Sequence, residues 1–311
     1  MPIYPTKHRN HEWWVVVIVL VVAIVFRFRG LDHVFIPYAL LSVLTVAGTY
    51  LLTKKLFNWE IAGLASFFLA VSSWDISPAP FFLVWGLYFF WKGKTSARLS
   101  DFALSGGLLG LGFYSSTSFV FVPLVLIVVV AAYWHSIKRD FSHDKYLASR
   151  NHLMSGFALL MVTGIIVATP VIWHYLVNGF GSMNWVVGYP MLFWPVALLS
   201  AIGLLRNIIK LWRRRKIHGH FPTVQVLLLS WLVASCQSVL LLPVLMIFAG
   251  EGLWWIYDFS RKWYQIYDVH EVVLHEHRVQ ESHAIATLAL FLLLLGIMLN
   301  EYETLISIVT R

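Results

Sequence analysis

The 311-residue chain is 59% hydrophobic, only 12% charged, and carries a net charge of +8. Soluble domains hold about 25% charged residues, so this composition excludes a soluble globular enzyme, and apolar runs recurring from end to end specify a polytopic membrane protein. A single cysteine, Cys236, excludes an intrachain disulfide, and the basic excess reads as a membrane orientation signal rather than as nucleic-acid binding.

Lys7 and Arg9 precede an apolar run from Trp13 to Val25. No small-residue cleavage site follows, and Arg27 and Arg29 come next, so the run is expected to be a retained first span. Further spans are expected near 34–52, 60–74, 80–91, 102–114, 118–134, 153–173, 184–205, 222–236, 239–257 and 284–300, with the first at 13–26. The intervening segments alternate. Twenty of the 23 Lys and Arg residues fall on one side, in the groups around Lys7, Lys54, Lys92, Lys138, Lys145, Arg213, Arg261 and Arg278. Arg27, Arg29 and Arg311 fall on the other. The expected fold is therefore all-α, with about eleven transmembrane helices in one domain spanning 1–311, a cytoplasmic N-terminus and an external C-terminus. Residues 254–283, rich in Trp, Tyr and basic side chains, read as a cytoplasmic interfacial amphipathic segment within that domain.

Some spans are short. The stretch from Ile61 to Trp91 must hold two crossings around Trp74–Pro80, because one crossing would put Lys54 and Lys92 on opposite sides. Two crossings of about 15 residues reach only about 22 Å each, against the roughly 30 Å of a bilayer core. The same shortfall arises at Tyr114–Ser118 and at Cys236–Ser238. In each case the missing length is external. Either these helices end in a water-filled external cavity or the external segments are reduced.

Several polar residues have structural readings. Asp101 reads as an N-terminal helix cap, and Glu251 as an interfacial acid beside the Trp254–Trp255 belt. Gly106 and Gly110 have the spacing of close helix packing. No Gly-Lys-Ser/Thr follows, so a nucleotide loop is not supported. His270, His275, His277 and His283 stand among Glu271, Glu276 and Glu281, with no closed metal-site spacing and no Cys among them. The run Arg213–Lys216 reads as a topology determinant in a short cytoplasmic loop that also meets anionic headgroups.

Seven stretches carry a resemblance that covers most of the chain: Phe26–Asp32, Leu41–Phe57, Ala65–Ser77, Gly107–Tyr114, Asn184–Trp185, Pro190–Leu204 and Ile247–Phe259. In order, and in spacing to the basic runs, they resemble the family 39 type of GT-C glycosyltransferases, which includes protein O-mannosyltransferases and lipid A aminoarabinose transferases. The resemblance implies a hexosyltransferase that moves a sugar from a polyprenyl-phosphate donor to an acceptor on the external face of a prokaryotic plasma membrane. Its partners would be that donor and membrane lipids. Its acid would serve as base or hold a divalent metal. The chain departs from the family at the first external loop, which contains Asp32 and His33 but no Asp-Glu pair, and Asp32 precedes the place of the family's acid. It departs again after Asn184-Trp185 and around Gln237, where the expected polar, basic and histidine residues are missing.

Such a transfer needs a base for the acceptor and cations for the leaving phosphate. The external inventory is small: Asp32, Asp75, Glu301 and Glu303, Arg27 and Arg29, His33 and His174. Asp32 and Asp75 are the candidate catalytic bases. Arg27, Arg29 and His33 are the candidate donor phosphate-binding residues, since a guanidinium fork matches phosphate oxygens. The structural alternatives are that the arginines snorkel to headgroups, that Asp32 pairs with them, and that Asp75–Pro78 forms a turn. The alternative for the whole chain is a catalytically inactive or reduced scaffold of the same fold, holding lipid or a protein partner.

Overall fold

The computed structural model describes residues 9–28, 36–72, 77–140, 143–178, 194–218, 222–235, 238, 240–267 and 294–297. They form ten helices: α1 (Arg9–Phe28), α2 (Ile36–Leu56), α3 (Trp59–Val71), α4 (Ala79–Ser96), α5 (Leu99–Gly112), α6 (Val122–Asp140), α7 (His143–Asn178), α8 (Trp194–His218), α9 (Thr223–Ala234) and α10 (Leu241–Tyr267). Residues 294–297 are also helical, inside the last expected span. The described residues contain no strand. The protein is an all-α integral membrane protein, and each described helix coincides with one expected span. Among the described residues, five stretches are long and apolar enough to cross a membrane: Ile36–Leu56, Ser118–His135, Asn151–His174, Trp194–Arg215 and Leu241–Ser260.

The basic groups meet at one end of the bundle, as the alternation requires. Lys54, in the last turn of α2, pairs with Glu12 near the start of α1, and Tyr50 donates to the same carboxylate at 3.2 Å. At the end of α4, Lys94 lies between the rings of Trp91 and Tyr133, 4.0 and 3.9 Å from their centroids. It donates to Thr223 Oγ1 at the start of α9. Lys210 of α8 lies over Phe57, in the turn between α2 and α3. These contacts join the starts of α1 and α9, the ends of α2 and α4, and the second half of α8.

Two apolar cores fill the bundle. One is built mainly from α4, α5, α6, α7 and α9 around Phe90, Phe102, Phe119, Leu126 and Trp231. The other is built from α1, α2, α3 and α8 around Val19, Val46, Phe68, Leu69 and Leu199, and Ile297 packs into it. Helix α10 belongs to both. Val244, Ile247 and Phe248 enter the first core, while Leu242, Met246, Ala249 and Leu253 enter the second.

Lipid offers no hydrophobic drive for helix association, so close backbone approach and hydrogen bonding have to supply it. Gly106 and Gly110 of α5 meet α7 as their spacing suggested. A methyl group on Gly110 would lie 2.7 Å from the Gly164 carbonyl oxygen, and one on Gly106 would strike the Leu160 carbonyl and Thr163 Oγ1. The neighbouring Gly107 faces open space. The pair predicts opposite signs. Gly106→Ala should destabilise by about 1–3 kcal/mol through overpacking. Gly107→Ala should be neutral or should stabilise by up to about 1 kcal/mol through helix propensity. Thermal unfolding of both variants in the same detergent measures this, and equal shifts would contradict the packing. Across α4, Trp85 Nε1 donates to the Leu44 carbonyl at 2.9 Å and Ser105 Oγ to the Gly86 carbonyl at 2.7 Å.

Three expectations need correction. Asp101 is not the cap of α5; Arg98 holds that position. Asp101 lies in the first turn, 3% exposed, where it accepts from Lys92 Nζ at 3.1 Å and Ser96 Oγ at 2.9 Å. Arg213–Lys216 is not a loop but part of α8, whose described start is Trp194 rather than 184. Trp254–Tyr267, the described part of the expected interfacial segment, is the last stretch of α10. Its continuation at 268–283, with the histidine cluster, lies outside the described residues. The third correction concerns Glu251 and is taken up below.

Candidate functional site

The short crossings end at the face opposite the basic groups, and the shortfall falls on one helix of each pair. α3, α5 and α9 have 13, 14 and 12 residues, whereas α4, α6 and α10 have 18, 19 and 27. A helix of 13 residues rises about 20 Å, so these three stop at membrane depth. There, unsatisfied carbonyls cost several kcal/mol each.

Serines close each of these ends. At α9, Ser235 Oγ donates to the Trp231 carbonyl at 2.7 Å, and Trp231 Nε1 reaches across the turn to the Leu240 carbonyl at 3.0 Å. After α5, Ser115 Oγ donates to the Gly112 carbonyl at 2.7 Å. Ser116 then caps a short 3-10 turn, Thr117–Phe121, by accepting from the Ser118 amide. These two turns pack together over Trp231. The void between them, lined by Leu83, Phe121, Trp231 and Leu240 among others, holds only about 10 Å³. Of the two sequence expectations, the water-filled cavity is therefore not realised at this pair of turns.

The third short helix carries the candidate cation. α3 is capped by Asn58, whose side chain accepts from the Ile61 amide at 3.1 Å, and stops at Val71. Its last carbonyls are the negative end of the helix dipole. Ser72 Oγ donates to the Leu69 carbonyl oxygen at 2.9 Å, and Arg27 Nη2, in the last turn of α1, donates to the same oxygen at 2.9 Å. Arg27 is only 6% exposed. The C-terminus of α3 faces this buried guanidinium, and the geometry fixes a cation at the end of the bundle opposite Lys54, Lys94 and Lys210. Arg29, Asp32, His33 and Asp75 lie outside the described residues. The segment carrying Asp75 leaves the described chain at Ser72, the residue that shares the Leu69 carbonyl with Arg27. No group of three or more His, Cys, Asp and Glu side chains stands together among the described residues.

The polar constellation that sequence reasoning missed is at the basic end. Glu251 is 0% exposed and lies on the face of α10 that meets α8. Its carboxylate is bonded by Lys210 and by Asn207 Nδ2, and Arg206 Nε stands 3.8 Å away. Asn207 also donates to the Gly203 carbonyl at 2.9 Å. Glu251 is thus a buried acid neutralised across helices, not an interfacial one. The signal lay in α8, where Arg206, Asn207 and Lys210 fall within one helical turn and so need a counterpart on one facing helix.

No family model matches the chain. A stretch of 159 residues, 48% of this chain and 54% of the relative, is 27% identical to cytochrome c oxidase subunit 3 of Wickerhamomyces canadensis. That match reaches about half of either chain. The structural likeness is broader. The apo oligosaccharyltransferase of Archaeoglobus fulgidus superimposes with a TM-score of 0.53 over 86% of this chain at 14% identity. The same organism's oligosaccharyltransferase AglB, in complex with an inhibitory peptide and a dolichol-phosphate, gives 0.53 over 86% at 13% identity. The chain spans 44% of the length of each of these proteins. The helical bundle described above therefore shares its fold with part of these oligosaccharyltransferases.

Proposed function

We propose that the protein is a membrane glycosyltransferase that takes a sugar from a polyprenyl-phosphate donor and passes it to an acceptor on the external face, in the manner of the family 39 type. The observation that carries this reading is the fold over 86% of the chain, shared with a protein whose structure holds a dolichol-phosphate. The anchored Arg27 supports it, as a cation at the face where such a donor phosphate would lie.

In the reaction, the acceptor nucleophile attacks the anomeric carbon of the sugar and loses its proton to Asp32 or Asp75. The bond from that carbon to the phosphate oxygen breaks, and the electron pair leaves with the polyprenyl phosphate. Arg27, Arg29 and His33 then offset the charge on the departing phosphate. The helix terminus that holds Arg27 would keep it in place before charge develops, which is the condition for electrostatic stabilisation of a leaving group. A divalent metal held by the acids would supply the same charge neutralisation.

A non-catalytic scaffold on the same fold, binding lipid or a protein partner, is favoured by the closed packing around Trp231. Turnover separates the two readings. Purified protein in nanodiscs is incubated with labelled polyprenyl-phosphate sugars and candidate acceptors. Asp32→Asn or Asp75→Asn should lower the rate by 100-fold or more, about the contribution of a general base, and Arg27→Gln by a comparable factor. Full turnover in both Asp variants would remove the site assignment, and no turnover by the wild type with any donor would favour the scaffold.

A further inference from the structure

A second lipid-facing feature lies away from this site. Helices α6 and α9 border an apolar groove of about 960 Å³, flanked at its inner end by Leu211 of α8. Leu124, Val128, Leu229 and Val233 line its length, and Val233 is 77% exposed. From Leu124 to His135 the groove follows α6 for 12 residues, which is about 17 Å. That exceeds the roughly 15 Å depth of one leaflet.

The two ends of the groove differ in charge. The outer end is apolar. The inner end reaches His135 on α6 and Leu211 on α8. Arg214 and Arg215 follow Leu211 by three and four residues on the same helix, which puts them on its face, and both are exposed. Trp212, also exposed, stands at the same level, where indole rings favour the headgroup region. An apolar slot one leaflet deep that opens onto clustered cations matches a ligand with an aliphatic chain and an anionic head.

We infer that this groove is a binding site for one anionic diacyl phospholipid from the leaflet on the basic side. Its acyl chain lies between α6 and α9, and its phosphate meets Arg214, Arg215 and His135. The proposal does not depend on the glycosyl-transfer reading, since it uses neither the same residues nor the same face.

Native mass spectrometry of the full chain in detergent tests it, titrated separately with phosphatidylglycerol, phosphatidylcholine of the same chain length, and a polyprenyl phosphate. The wild type should retain one phosphatidylglycerol, with a preference over phosphatidylcholine of about tenfold or more, given the worth of two surface arginines near a lipid head. The Arg214→Gln/Arg215→Gln variant should lose that preference while keeping weak binding of both lipids. Val233→Trp, on an exposed position, should fill the groove and reduce retention of both. Equal retention of the two phospholipids by the wild type would overturn the site, as would unchanged phosphatidylglycerol binding in Val233→Trp. Preferential retention of the polyprenyl phosphate, abolished by Val233→Trp, would reassign the groove to an isoprenoid chain.

Discussion

Gly203→Ala is expected to be the most damaging single-methyl change in the described chain. The added carbon would land on the Phe248 carbonyl group, 2.7 Å from its carbon and closer still to its oxygen. A carbonyl has no rotamer to escape into, so α8 and α10 would have to separate. Gly252 repeats the arrangement from the other side, facing the Leu199 carbonyl and the Gly203 amide. Separation would also loosen the bond between Asn207 and Glu251, which lie one turn further along the same seam. The cost should reach or exceed about 3 kcal/mol, the upper end for overpacked cores. Thermal unfolding in detergent, followed by tryptophan fluorescence, should show a large loss. Wild-type stability in Gly203→Ala would mean that the two helices do not cross there.

The second large effect is expected at Glu251. Glu251→Gln keeps the size of the side chain and removes its charge, which leaves Lys210 and Arg206 beside a neutral amide. Removing one partner of a buried ion pair costs about 3–5 kcal/mol. The lower end is expected here, because the two cations retain about a quarter to a third of their side-chain exposure and can turn outward. Combining Glu251→Gln with Lys210→Met should recover part of the loss, because the stranded ammonium goes with its partner. If the single variant unfolds at the wild-type temperature, the carboxylate contributes nothing to the helix seam. If the double variant is less stable than the wild type by the full sum of the two single effects, the two residues are not coupled.

What could be read from the sequence follows from how locally each feature is encoded. The crossings were legible because charge alternation depends on which segment holds Lys54, Lys92 or Arg213, not on where a helix ends. Gly106 and Gly110 were legible because a spacing of four within one helix already defines a face. Asp101 was misjudged because its partners, Lys92 and Ser96, sit across a turn, and Arg98 takes the cap instead. Glu251 was misjudged because its partners lie 41–45 residues away on another helix, and no local pattern around Glu251 reports them. The candidate site divides along the same line. Arg27 could be named from its place at the end of an apolar run, but its anchoring carbonyl at Leu69 is 42 residues distant. The short α3, which makes that carbonyl available, could be foreseen as a length deficit but not as a docking point.

The sharing of α10 between two cores bears on how the chain matures. Helices enter the bilayer in order and associate afterwards. α1–α3 and α4–α7 are made first, yet the residues that complete both of their cores, Val244, Ile247 and Phe248 on one side and Leu242, Met246 and Ala249 on the other, all lie beyond residue 241. Until the ribosome has delivered α10, each half presents an open seam of small side chains and bare carbonyls, the surface that membrane quality-control proteases and insertion chaperones recognise. Assembly of the two cores is therefore completed late, by α10 and then by Leu294 and Ile297. A premature stop before α10 should leave a rapidly degraded fragment rather than a stable half.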